Sequence, residues 1–113
     1  MHEYSIVQAL LDLVEEEAKK AGASQVERIT VKVGRLSGVE RELLHDAYTI
    51  FSEDHFCKGA ALELIDQRVV LHCQSCQSEH TIEKLTLACP ACQSESVQVI
   101  DGEELILMQL QMH

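Results

Sequence analysis

Cys73-Gln74-Ser75-Cys76 and Cys89-Pro90-Ala91-Cys92 are two CxxC pairs separated by twelve residues. A CxxC turn presents two sulfurs a few ångströms apart, and two such turns complete a tetrahedron of thiolates, the closed shell preferred by Zn²⁺. The 20 residues from Cys73 to Cys92 carry few apolar side chains, Ile82 and Leu87 among them, so hydrophobic burial alone cannot fold this stretch. A structural zinc, which contributes about 10–16 kcal/mol in finger peptides, covers that deficit. Four thiolates leave no open position for catalysis by the metal. A dithiol redox pair is the weaker alternative, because that chemistry uses one CxxC at a helix start beside a strand. His72 and His80 adjoin the cluster and could replace a thiolate, although solvated or neighbouring side chains are their ordinary reading. Cys57 stands outside both pairs and reads as a small buried residue.

Upstream of this insert, residues 5–21 place Ile6, Leu10, Leu13, Val14, Ala18 and Ala21 at helical spacing, with Lys19 and Lys20 in the last turn and Gly22 as the stop. Arg28-Ile29-Thr30-Val31-Lys32-Val33 alternates as a half-buried strand, its Ile29, Val31 and Val33 facing the core. Ser37 and Glu40 have the spacing of a capping box, and Leu44, Ala47, Tyr48 and Phe51 continue as a second helix to about Asp54. A second strand pattern covers 61–71, running into the cysteines. Beyond them, Val97–Ile100 and Glu104–Met112 are strand-like runs separated by Asp101-Gly102, a hairpin signal. The order predicts an α/β (α+β) fold, a small sheet with both helices on one face and a zinc-ribbon-like module inserted. Residues 1–70 and 97–113 form the α/β unit and 71–96 the inserted metal module.

Composition narrows the function. The chain has 113 residues with 19 Asp and Glu against 9 Lys and Arg, a formal charge of −10 that offers phosphate backbones and anionic lipid no attraction. From residue 69 onward the one basic side chain is Lys84, so the cysteine module lacks the basic face of a nucleic-acid-binding ribbon. No apolar run approaches the roughly 20 residues of a membrane span. His2 and Glu3 stand where a secretory signal would be basic, so the start reads as a mature cytosolic N-terminus and the protein as cytoplasmic. There is no Gly-rich phosphate loop and no nucleophile elbow, and the chain reads as a protein other than an enzyme.

Met1-His2-Glu3 opens the first helix. A free α-amine, the His2 amide nitrogen and the His2 imidazole can chelate one ion through fused small rings, and such coplanar nitrogen donors suit Ni²⁺ or Cu²⁺. The first amides of a helix lack intrahelical acceptors and are free to take part. Taken alone, a His at position 2 is a solvated polar residue and Glu3 a favourable first-turn acid, so the triplet by itself leaves both readings open.

Met1-His2-Glu3-Tyr4-Ser5, Val33-Gly34-Arg35-Leu36-Ser37-Gly38-Val39 between strand and helix, and CxxC-x12-CxxC near the C-terminus together resemble the HypA/HybF family of nickel chaperones for hydrogenase maturation. The resemblance implies two helices on a three-stranded sheet, with a zinc domain inserted before the last strand. It implies nickel bound by His2 with the Met1 amine and Glu3, and zinc held by Cys73, Cys76, Cys89 and Cys92. Members of the family hand Ni²⁺ to the large subunit of [NiFe]-hydrogenase together with the GTPase HypB, and some serve urease. A further nickel-binding histidine found in some members has no match here, so the remaining donor stays open. The chain is expected as a monomer or weak homodimer.

Overall fold

The computed structural model describes residues 2–84 and 86–113. Helix α1 (His2–Lys20) is followed by β1 (Val26–Gly34), α2 (Arg41–Phe51) with a 3-10 turn (Ser52–Asp54), β2 (Ala61–Gln67), β3 (Val69–Cys73), β4 (Glu79–Ile82), β5 (Val97–Asp101) and β6 (Leu105–Met112). Two three-stranded sheets result, ordered β2-β1-β6 and β4-β3-β5. In the first, β1 runs parallel to β2 and antiparallel to β6. The second is antiparallel throughout. The fold is thus mixed α/β, with the two helices packed on the first sheet and the four clustered cysteines marking the second as a zinc-ribbon-like module.

Periodicity explains the core of the first unit. Helix α1 buries Val7, Leu10, Leu11, Val14 and Ala18, while β1 buries Val26, Ile29, Val31 and Val33 and α2 buries Leu44, Ala47 and Tyr48. The apolar stripe of α1 is rotated from the one its sequence suggests. Val7 and Leu11 are inside, whereas Leu13 is 41% exposed and lies with Ile6 on the flank nearest β6. Both stripes satisfy a 3.6-residue period; contact with β1 and α2 chooses between them. Tyr48 donates its hydroxyl to the Ala60 carbonyl at 2.6 Å, which satisfies a polar group inside this core.

Three local expectations are corrected. Glu40, not Ser37, is the residue before α2, and no side chain caps the helix. The Ser37 hydroxyl instead accepts from the Val39 N–H at 3.2 Å, closing a short turn before the helix begins. The apolar run 61–71 is two strands in different sheets, broken at Arg68. Asp101-Gly102 is no hairpin: Val97, Val99 and Asp101 are paired with Cys73, Leu71 and Val70, whereas β6 pairs with β1. The chain therefore changes sheets near Arg68 and again at Gly102, and β4 is a short strand its polar sequence did not announce.

The two crossings meet at one backbone joint. The Gly34 N–H donates to the Glu104 carbonyl, the Arg35 N–H to Gln67 and the Leu36 N–H to Gly102, at 2.8–3.0 Å. A β-carbon on Gly34 would lie 2.3 Å from the Gly102 carbonyl oxygen, so side-chain-free backbones touch here. Lys32 of β1 reaches Asp101 of β5 at 3.1 Å, and Arg35 meets Asp66 at 2.9 Å. The first contact holds the Asp101 carboxyl below its ordinary range by the Lys32 hydrogen bond, so it stays charged at neutral pH. The Val33–Val39 motif is thus the seam between the sheets.

Gly34→Ala should destabilise the protein by about 3 kcal/mol, the upper end of the overpacking range. Gly38→Ala, with open space around it and only a φ of +78° to bear, should cost about 1 kcal/mol. Thermal melting of the two variants checks this, and equal losses would contradict the steric account of the seam.

Candidate metal centre

Cys73 ends β3 and opens the first of two knuckles of one construction. The Gln77 N–H donates to the Cys73 carbonyl at 2.9 Å, and the Cys73 N–H to the Ser78 carbonyl at 2.8 Å. The second knuckle repeats this with Gln93 N–H to Cys89 carbonyl at 2.8 Å and Cys89 N–H to Ser94 carbonyl at 2.9 Å. Gln77 and Gln93 both adopt left-handed backbone, at φ 60° and 64°. The repeated unit is therefore Cys-x-x-Cys-Gln-Ser, longer than the paired cysteines alone, with both glutamines at the reversal.

All four Sγ atoms lie within 4.8 Å of one another. Cys73 and Cys92 sulfurs are 3.5 Å apart, and those of Cys76 and Cys89 are 3.7 Å apart. At the usual Zn–S distance of about 2.3 Å a regular tetrahedron has edges of about 3.8 Å. A disulfide needs about 2.05 Å, and all four cysteines are free thiols. The donor set and its spacing therefore fit a four-thiolate ion such as zinc.

Backbone dipoles tune the sulfurs unequally. The Cys92 N–H points at the Cys89 sulfur at 3.4 Å and pulls that thiol down to about 6. The Cys76 N–H does the same for Cys73, lowering it. Cys92 receives help from the Ser94 amide, but the neighbouring sulfurs of Cys73, Cys89 and Cys76, together with burial, outweigh it and push this thiol up to about 12. Like charges crowded in one place cannot all ionise, and a divalent cation removes that conflict. The Ser78 hydroxyl sits 2.9 Å from the Cys76 sulfur and 2.8 Å from His80 Nε2, so His80 stands behind the cluster rather than among its donors. Sequence reasoning did not single out Ser78; its place in the repeated Cys-Gln-Ser unit was the available signal.

The other candidate residues lie elsewhere. Met1 and the side chain of His2 fall outside the described residues, while the His2 backbone opens α1. Glu3, in the first turn, lines a cleft of about 300 Å³ with Tyr4 and with Leu43, Asp46, Ala47 and Ile50 of α2. Tyr4 is fixed edge-on against Phe51, ring centroids 5.3 Å apart. Cys57 is fully buried in the α/β core, where burial pushes its thiol up to about 11, an inert side chain and no part of the sulfur cluster.

Asp12, Glu15 and His55 also bring three donors within 4.8 Å. Here the Cys57 N–H donates to His55 Nδ1 at 3.2 Å, which assigns the neutral ring's proton to Nε2. That proton faces Glu15 at 3.3 Å and Asp12 at 3.6 Å. A metal-ligating histidine has the opposite arrangement, with the far nitrogen donating. The cluster is a polar contact of α1 with the residue after the 3-10 turn, in which the ion pair is that of Lys19 with Glu15 at 2.8 Å.

Comparison with known proteins gives one consistent answer. Residues 1–112 match the family model HypA, described as hydrogenase/urease nickel incorporation, metallochaperone. The chain is 46% identical over 112 residues to a hydrogenase maturation factor HypA of Shewanella baltica, covering 99% of this chain and 96% of the relative. It is 37% identical over 116 residues to the hydrogenase/urease maturation factor HypA of Helicobacter pylori, covering 99% and 97%. The solution structure of the Ni metallochaperone HypA from Helicobacter pylori superposes with a TM-score of 0.74 at 36% identity, covering 97% of this chain and 96% of that one.

The Cys89 thiol sets a testable pH dependence for metal binding. A depressed thiol is ionised above its folded value and contributes least resistance there, so above about 6 zinc displaces little proton from Cys89. Below about 6 each zinc must displace that proton, and affinity should fall more steeply. Zinc competition with a chelator between about pH 5 and 8 should show a slope that steepens below 6. A slope unchanged across that range would contradict the tuning of Cys89.

Proposed function

From the premise that the chain belongs to the HypA family of hydrogenase/urease nickel-incorporation metallochaperones, we propose that it binds Ni²⁺ at its N-terminus and delivers it during maturation of [NiFe]-hydrogenase or urease. The observation that carries this reading is the extent of the family match, which begins at residue 1 and takes in both the opening triplet and all four clustered cysteines. In this reading the Met1 amine, His2 and Glu3 hold the cargo, and Cys73, Cys76, Cys89 and Cys92 hold a structural zinc. The recipients are the hydrogenase large subunit or urease, and a HypB-type GTPase is the working partner. By sequence the nickel unit is 1–70 with 97–113 and the zinc unit 71–96, whereas β3 from Val69 and β5 through Asp101 pair in the second sheet.

Ligand chemistry supports separate roles. Thiolates suit zinc held permanently, and a module with so few buried side chains needs it for folding. Nitrogen donors at a chain end suit an ion that must leave. The α-amine, ordinarily near 8, and imidazole, near 6.5, must both be unprotonated to bind, so nickel affinity should fall as pH drops below about 8 and more steeply below about 6.5. Copper binds such donors more tightly than nickel by the Irving–Williams order, so choice of metal rests on geometry and handover.

His2→Ala should weaken nickel binding by calorimetry at least about tenfold while leaving zinc content and melting unchanged. A residue fused ahead of Met1, which converts the amine to an amide, should do the same. Unchanged nickel binding in both proteins would overturn the N-terminal assignment. Cys73→Ala should lose zinc by elemental analysis, and retention of one zinc per chain would contradict four-thiolate ligation.

A further inference from the structure

The two serines of the repeated Cys-x-x-Cys-Gln-Ser unit serve their sulfurs in different ways. Ser94 turns its hydroxyl to Ser75 at 2.8 Å and accepts there from the Ser96 N–H at 3.0 Å, so it serves the Cys92 sulfur through its backbone amide. Ser78 uses its side chain. Its hydroxyl lies 2.9 Å from the Cys76 sulfur, 4.0 Å from that of Cys89 and 2.8 Å from His80 Nε2. Cys73 and Cys89 are buried, and their sulfurs take backbone N–H groups that no substitution removes. Cys76 is exposed, and the hydroxyl beside it belongs to a side chain.

We propose that Ser78 is a positioning residue of the sulfur cluster: its hydroxyl, aimed by His80, donates to the Cys76 thiolate and restrains the reactivity of that exposed sulfur. This rests on the four-thiolate reading above. Donor and acceptor chemistry fixes the direction of the chain. A metal-bound thiolate has no proton and only accepts, so the single hydroxyl proton of Ser78 goes to sulfur. The hydroxyl oxygen then accepts from His80, which places the neutral ring's proton on Nε2. Pairing of β4 with β3, His80 opposite Leu71, fixes the backbone from which the ring reaches. Four thiolates around a dication keep a net negative charge, and an exposed sulfur that shares it is a nucleophile. A hydrogen bond to an ionised group is stronger than one between neutral groups, so this donor draws charge from Cys76 where solvent reaches it. Residues behind the ligands commonly hold them in this way.

The test is alkylation of the full, zinc-loaded chain by iodoacetamide, in which a sulfur displaces iodide, followed at each cysteine by mass spectrometry. Ser78→Ala should raise the rate at Cys76 at least about tenfold, as the loss of one hydrogen bond to a charged group implies, and Ser78→Thr should restore it. Ser94→Ala, which keeps the amide at Cys92, should react as the parent does. Nitrogen NMR of the zinc-loaded parent should find the neutral His80 ring protonated at Nε2, and Ser78→Ala should lose that preference. Zinc content and circular dichroism check the fold. A parent with the His80 proton on Nδ1 overturns the chain of donors without any variant. An unchanged rate in Ser78→Ala that still holds its zinc overturns the proposal and leaves the four-thiolate reading standing. Equal acceleration by Ser94→Ala and Ser78→Ala is general loosening of the knuckles and contradicts the proposal. A parent that holds no zinc overturns both readings.

Discussion

Convergence of four sulfurs within 4.8 Å is the constraint on which the second half of the molecule depends. The β4-β3-β5 sheet is short, and its buried side chains are those of Val69, Leu71 and Cys73. A core of this size does not hold a fold together, and a metal bridging the two knuckles replaces it. The repeated Cys-x-x-Cys-Gln-Ser unit shows how the chain prepares the site. Each left-handed glutamine turns the strand back, and the amide of the second cysteine is aimed at the sulfur of the first.

The α/β unit is built on the opposite principle, with an aliphatic core and its candidate cargo residues at the start of a helix. What unites the two is the seam at Gly34 and Gly102. The Leu36–Gly102 backbone hydrogen bond and the Lys32–Asp101 pair join the first unit to β5 and the turn after it there.

Much of this was legible in the residues. Alternation placed Ile29, Val31 and Val33 inside, helical spacing placed Leu44, Ala47 and Tyr48 inside, and cysteine spacing alone located the sulfur cluster. Other features were not, for physical reasons. Strand order depends on pairing between segments far apart, and a continuous apolar run such as 61–71 gives no sign that it bends into another sheet. Asp101-Gly102 has turn chemistry, but which strands a turn joins is decided by the surroundings, here the approach of Gly34. Both Ile6-Leu13 and Val7-Leu11 fit one helical period, and only tertiary contact shows that the second pair is buried.

The central claim is a division of metals by donor atom: sulfur for the structural ion, nitrogen and oxygen for the cargo. X-ray absorption on protein loaded with both metals reads the two shells separately, at the nickel edge and the zinc edge. The account predicts four sulfur neighbours at about 2.3 Å around zinc and only nitrogen and oxygen around nickel. Sulfur in the nickel shell, or nickel displacing zinc from the cysteines, would contradict it.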